Sequence, residues 1–325
     1  MKFNFKISKL NNFYFFVSNL TEFHFSCRPH FNKDWIKATG ELSQEEKLAI
    51  LELKPIFKKY GFVFKNNKSL YLGKYFYCPE DKDKWNILKE YVTEAEYKKL
   101  SDGFEVFESR FNKLYKENLL QSWKATLEKE MSGEKFITLF DFAKHFFGAK
   151  ISDNILNVHL LMSPSTTWST SGGANLGNKD ITLEVPIFNL TDEQIELAAC
   201  ILVHEASHIW FEKNPNYKIT EKLSGKNFGW LKEIIIDSIT PSGFPAQKYA
   251  KASNPFKRFL FHNLADGYKA YENLVSGRKS DIKKLTSYVS WNLYPLAAYY
   301  YIHNKKIDEK FIKTVINATK KRTTK

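Results

Sequence analysis

At 325 residues the chain is long enough to bury a large core and to divide into two domains. With 43% hydrophobic and 26% charged residues, and only 14 Gly and 10 Pro, it is not collagenous, mucin-like or wholly disordered. The net charge of +13 comes from lysines scattered along the whole sequence rather than gathered in one stripe, which argues against nucleic acid as the partner. Cys27, Cys78 and Cys200 are odd in number and far apart, so they encode no disulfide framework and point to a reducing compartment, the cytoplasm.

The N-terminus, with Lys2, Lys6 and Lys9 ahead of the apolar run 13–17, has the outline of a signal peptide. Ser18 and Asn19 cut that run short, and no small-residue cleavage site follows. Residues 3–25 read instead as two strands, the first from the alternation Phe3, Phe5, Ile7. Residues 41–60 carry a helical pattern opened by Ser43 with Glu46 three positions on, a capping box. The runs 62–64 and 70–77 flank Asn66-Asn67 and read as a hairpin. From 81 to 130 the spacing is helical with a break near 101–103, and 136–148 predicts one more helix.

At about residue 150 the texture changes. Residues 155–162 read as a strand, 163–177 as a flexible Ser/Thr/Gly-rich loop, and 181–185 as a short strand stopped by Pro186. From Thr191 nearly everything is helical, with breaks at 214–215, 224–229, 241–245 and Gly277. The apolar run 293–302 falls far short of the ~20 residues of a membrane span and reads as a core helix. The chain accordingly divides into a mixed strand and helix region at 1–135, with no role assigned, and a second region at 136–325.

Within the helix that opens at Thr191 stands His204-Glu205-Ala206-Ser207-His208. Two histidines four apart lie one above the other on a helix, so their imidazoles can converge on a single cation. Glu205 is turned about 100° from His204 around the axis, where it can take a proton from water without ligating the metal. Leu197, Ala198, Ala199, Ile201, Leu202, Val203, Ile209 and Trp210 make this helix apolar nearly all round, which marks it as buried. Polar groups on a buried helix need partners, and a metal supplies one.

The third ligand comes from elsewhere. Phe211 and Asn214 stand where a metzincin would carry Gly and His, and Glu212 would stack a third ligand on one straight helix. The better candidate is Glu233 in Trp230-Leu231-Lys232-Glu233, which completes a His/His/Glu set and leaves a fourth position for water. Asp237, one turn later, can accept a hydrogen bond from the free ring nitrogen of a histidine and fix its tautomer. Cys200, one turn before His204, reads as a small buried hydrophobe rather than a ligand. The isolated His24, His30, His145, His159 and His303 read as structural or surface residues.

These residues resemble the gluzincin metallopeptidases, in particular the peptidase MA-like and M1-aminopeptidase-like proteins, which share His-Glu-x-x-His followed by Trp-Leu-x-Glu and a carboxylate one turn on. The resemblance covers roughly residues 155–240. It implies His204, His208 and Glu233 as ligands of one zinc per chain, Glu205 as general base, and peptide or protein as substrate. It also implies a zincin-like α+β domain at 136–325, a small sheet packed on a mostly helical bundle, beside the mixed N-terminal region. Three features depart from the pattern: the gap of 24 residues between His208 and Glu233, Lys232 in place of Asn, and Ile234-Ile235 in place of small residues. The similar enzymes place an oxyanion-stabilising Tyr or His downstream; His262, Tyr268, Tyr271, Tyr294 and Tyr299 are the candidates, with Tyr294 before Pro295 favoured. They also run a cleft-lining strand where Gly172-Gly173-Ala174-Asn175 stands here. The competing expectation is a non-catalytic binding protein on the same fold, with its basic surface turned to an acidic partner.

Overall fold

The computed structural model describes residues 2–22, 31–60, 85, 89, 92–149, 155–164, 171–175, 180–187, 191–225, 228–238, 300 and 303–323. The alternation at the N-terminus forms β1 (Lys2–Lys6), but the second expected strand is a helix, α1 (Lys9–Leu20). Ser8 caps it by accepting a hydrogen bond from Asn11 N. Tyr14, Phe15, Phe16, Val17 and Leu20 are all buried, so the helix is covered on every side and its sequence shows no polar face to reveal the 3.6-residue period.

The helices described up to residue 114 include α2 (Phe31–Thr39), α3 (Gln44–Tyr60) and α4 (Glu94–Leu114). The expected capping box opens α3: Glu46 N donates to Ser43 Oγ at 3.1 Å, and Ser43 N donates to Glu46 Oε2 at 2.7 Å. Arg110 of α4 then bonds Glu46 Oε1 at 2.6 Å and the carbonyls of Thr39, Gly40 and Glu41, fastening the α2–α3 turn to α4. The break expected at 101–103 is absent and α4 runs straight through it. Gly103 serves contact instead, because a Cβ there would lie 2.8 Å from Leu53 Cδ1 of α3. The chain turns at Tyr115, after which come α5 (Glu117–Met131) and α6 (Glu134–Phe146).

The sheet is completed by β2 (Ile155–Ser163), β3 (Ser171–Asn175) and β4 (Asp180–Pro186), in the order β1-β2-β4-β3. β1, β2 and β4 run parallel, and β3 closes the end of the sheet antiparallel to β4. Where β1 stops, Asn12 of α1 carries on its pairing: Met162 N donates to Asn12 Oδ1 at 2.7 Å, and Asn12 Nδ2 donates to Leu160 O at 3.1 Å. The register puts Phe3, Phe5, Leu156, Val158, Ile181 and Leu183 on one face. That face receives α6 and the following helix, α7 (Asp192–Lys213), through Phe3 on Phe140 and Phe140 on Trp210, with ring centroids 5.5 and 4.8 Å apart.

The remaining described helices are α8 (Pro215–Ser224), α9 (Phe228–Asp237) and α10 (Glu309–Thr323). The architecture is α+β, mostly helical with a small sheet. Residues 1–135 and 136–325 share that sheet through β1, and they share a hydrophobic core that includes Phe16, Phe107 and Trp123 together with Val158, Ile201 and Trp210. Among the described residues no helix is long and apolar enough to cross a membrane. The expected hairpin at 62–77, the breaks at 241–245 and Gly277, and the helix at 293–302 apart from Tyr300 lie outside the described residues, as do Cys27 and Cys78.

Candidate metal centre

Helix α7 starts as its sequence dictates. Gln194 N donates to Thr191 Oγ1 and Thr191 N donates to Gln194 Oε1, a reciprocal cap, and the helix ends before Pro215. Asn214 closes α7 and opens α8, accepting from Asn216 N at 2.8 Å. α7 packs against β3, β4, α5 and α6. Ala198, Ala199, Leu202, Val203, Ala206 and Ile209 are all fully buried, so the helix sits inside the core and carries several buried polar residues with it.

Two of those residues are His204 and His208. Their side chains are 3% and 8% exposed, and their Nε2 atoms lie 3.1 Å apart. Glu233 arrives from α9, with Oε2 at 3.5 Å from His204 Nε2 and 3.3 Å from His208 Nε2. What holds α9 there is apolar. Leu231, Ile234, Ile235 and Ile236 are buried, and α8 bridges the two helices through Tyr217, whose ring meets Phe211 of α7 and Phe228 of α9. The isoleucines that depart from the gluzincin pattern are thus core anchors for the helix that delivers the third donor.

An ion ~2.0–2.1 Å from each of three ligands in a tetrahedron needs them about 3.3 Å from one another. The separations of 3.1, 3.3 and 3.5 Å match, and the donor set of two imidazoles and a carboxylate suits zinc. The three residues are also the one metal-holding group of His, Cys, Asp and Glu among the described residues. Burial pushes the Glu233 carboxyl up, but His208 and His204 outweigh it and hold the carboxyl well below the usual range. Glu233 nonetheless keeps 41% of its side chain open to solvent while the histidines are covered, so the group lies within the protein yet is reached from one side.

Glu205 follows His204 on α7 and is 9% exposed, outside the His204–His208–Glu233 group. Cys200 is buried one turn before His204 and also stands outside it. Asp237 is the last residue of α9, one turn beyond Glu233; its side chain, like His262, Tyr268, Tyr271, Tyr294 and Tyr299, lies outside the described residues.

Two features are only half legible in the sequence. Residues 171–175, expected either as a flexible loop or as the strand the resemblance implies, form a paired strand, β3, packed on α7. His159, which has no partner by sequence spacing, lies buried with Nε2 3.2 Å from Asp180 Oδ1 and Nδ1 3.4 Å from Asn11 Nδ2. Its partners come from β4 and α1, a proximity only the sheet register creates. Compared with protein-family models, with curated proteins and with solved structures, the chain matches none.

Proposed function

We propose that the protein is a zinc-dependent hydrolase of the zincin type, and specifically a metallopeptidase. The observation that carries this reading is the triangle of His204 Nε2, His208 Nε2 and Glu233 Oε2, built from two helices with the spacing a tetrahedral ion requires. Zinc bound there supplies Lewis acidity toward water and the scissile carbonyl. His204, His208 and Glu233 would hold it, and the sequence offers Asp237 as the partner that would orient one imidazole. Glu205 takes the proton of the attacking water and returns it to the leaving nitrogen. Among the described residues β3 stands last in the sheet order and packs on α7, and an extended peptide aligned along it would gain main-chain hydrogen bonds.

Substituting Glu205 separates base from ligand. Glu205→Gln keeps size and hydrogen bonding but removes the base. Elemental analysis should find about one zinc per chain in both proteins, while peptide turnover falls at least ~100-fold in the variant. Zinc lost along with turnover would make Glu205 a ligand, and unchanged hydrolysis would place the activity elsewhere.

A further inference from the structure

We infer that Lys232 is a positioning residue, whose ammonium group holds one carboxylate oxygen of Glu233 so that the other alone faces the histidines. The inference rests on the metal reading above. Glu233 Oε2 lies 3.3 and 3.5 Å from the two imidazole nitrogens, whereas Oε1 lies 3.9 Å from Lys232 Nζ. Adjacent residues on a helix leave the axis about 100° apart and do not face one another. An Nζ 3.9 Å from Oε1 therefore places the lysine side chain alongside the Glu233 carboxylate, and it is only 20% exposed. Its charge also acts across to α7. Burial raises the Glu212 carboxyl one turn beyond His208, and Lys232 together with Lys213 works against that rise.

The consequence is a division of labour between two oxygens. A carboxylate offered to a metal with both oxygens occupies two coordination positions, whereas one oxygen occupies one and keeps a tetrahedral site open for a fourth ligand. An ammonium beside Oε1 favours the second arrangement by attracting the oxygen that would otherwise swing inward.

Cobalt(II), loaded in place of zinc, reports coordination number by its visible absorption, which weakens stepwise from four- through five- to six-coordinate ions. The wild type should give the intense four-coordinate spectrum. Lys232→Met and Lys232→Gln, both folded by circular dichroism, should bind cobalt with the absorption weakened several-fold, and Lys232→Arg should restore it. Lysine variants with the wild-type spectrum, or a wild type that is itself five- or six-coordinate, would overturn the inference while leaving the metal site standing. A wild type that binds neither cobalt nor zinc would overturn the metal reading, and this inference with it.

Discussion

Zinc bound by His204, His208 and Glu233 would tie α7 to α9, so its removal is best read as a loss of stability. A ligand held only by the folded state stabilises it by RT ln(1 + [L]/Kd), about 4 kcal/mol when free zinc is 1,000 times Kd. Unfolding entropy near 2.1 cal/mol/K per residue gives about 0.7 kcal/mol/K for a chain of 325 residues, so saturation should raise Tm by about 6 °C over the chelated protein. Replacing His208 or Glu233 with Ala removes a direct ligand, and loses more than the ~10–100-fold in affinity that an outer partner costs. With Kd weakened ~100-fold at the same free zinc, the rise should shrink to about 2 °C. The assay is differential scanning calorimetry in a zinc buffer of fixed free concentration, with the chelated protein as the baseline for each variant. A full 6 °C shift retained by both alanine variants would mean that zinc binds somewhere other than the α7–α9 triangle. No shift in the wild type would mean that the triangle is a hydrogen-bonded cluster.

Gly103→Ala should destabilise the protein by ~1–3 kcal/mol in urea unfolding, because its Cβ would meet Leu53 Cδ1 at 2.8 Å and α3 would have to shift off α4; an unchanged midpoint would mean that Leu53 moves aside freely. Salt separates the hydrolase from a basic binding protein: cleavage of a neutral peptide should respond to chelator and barely to salt, while any binding to nucleic acid should collapse as salt rises through the physiological range. Tight polyanion binding that survives such salt, together with no cleavage by zinc-loaded protein, would favour the binding protein.

How much of this was legible in the sequence depended on whether a signal was local. The caps at Ser43 and Thr191, the stop at Pro215, and the strands 155–162 and 181–185 are written in neighbouring residues, and each stands within a residue or two of its expected place. The failures share a different cause. α1 reads as a strand because burial on all sides erases its period, and α4 reads as broken at Gly103 because contact with another helix and the end of a helix both call for glycine. β3, poor in strand-forming residues, owes its conformation to pairing with β4. In each case the deciding neighbour is distant in sequence.

At the centre, the spacing of His204 and His208 on one helix is readable in the sequence, and so is Glu233 as the candidate third donor. What the sequence could not supply was the test of whether these groups make sense without a cation. Two imidazole nitrogens 3.1 Å apart can satisfy each other only if one donates and the other accepts. That leaves Glu233 Oε2, an acceptor, 3.3 to 3.5 Å from both; two neutral imidazoles protonated on Nε2 could each donate to it, but their N–H groups would then face one another at 3.1 Å. Charging an imidazole that is only 3% or 8% exposed carries a desolvation cost that a single partly open carboxylate must offset. A divalent cation removes the conflict, because all three atoms then act as electron-pair donors to one acceptor, and the burial that penalises a charged histidine favours the neutral one a metal needs. The same burial would keep competing water off two of three ligands, while Glu233 is the group's solvent-facing member. An apolar helix that carries two histidines and Glu205 into the core is costly to fold around hydrogen bonds alone and consistent at every level once a metal is its partner.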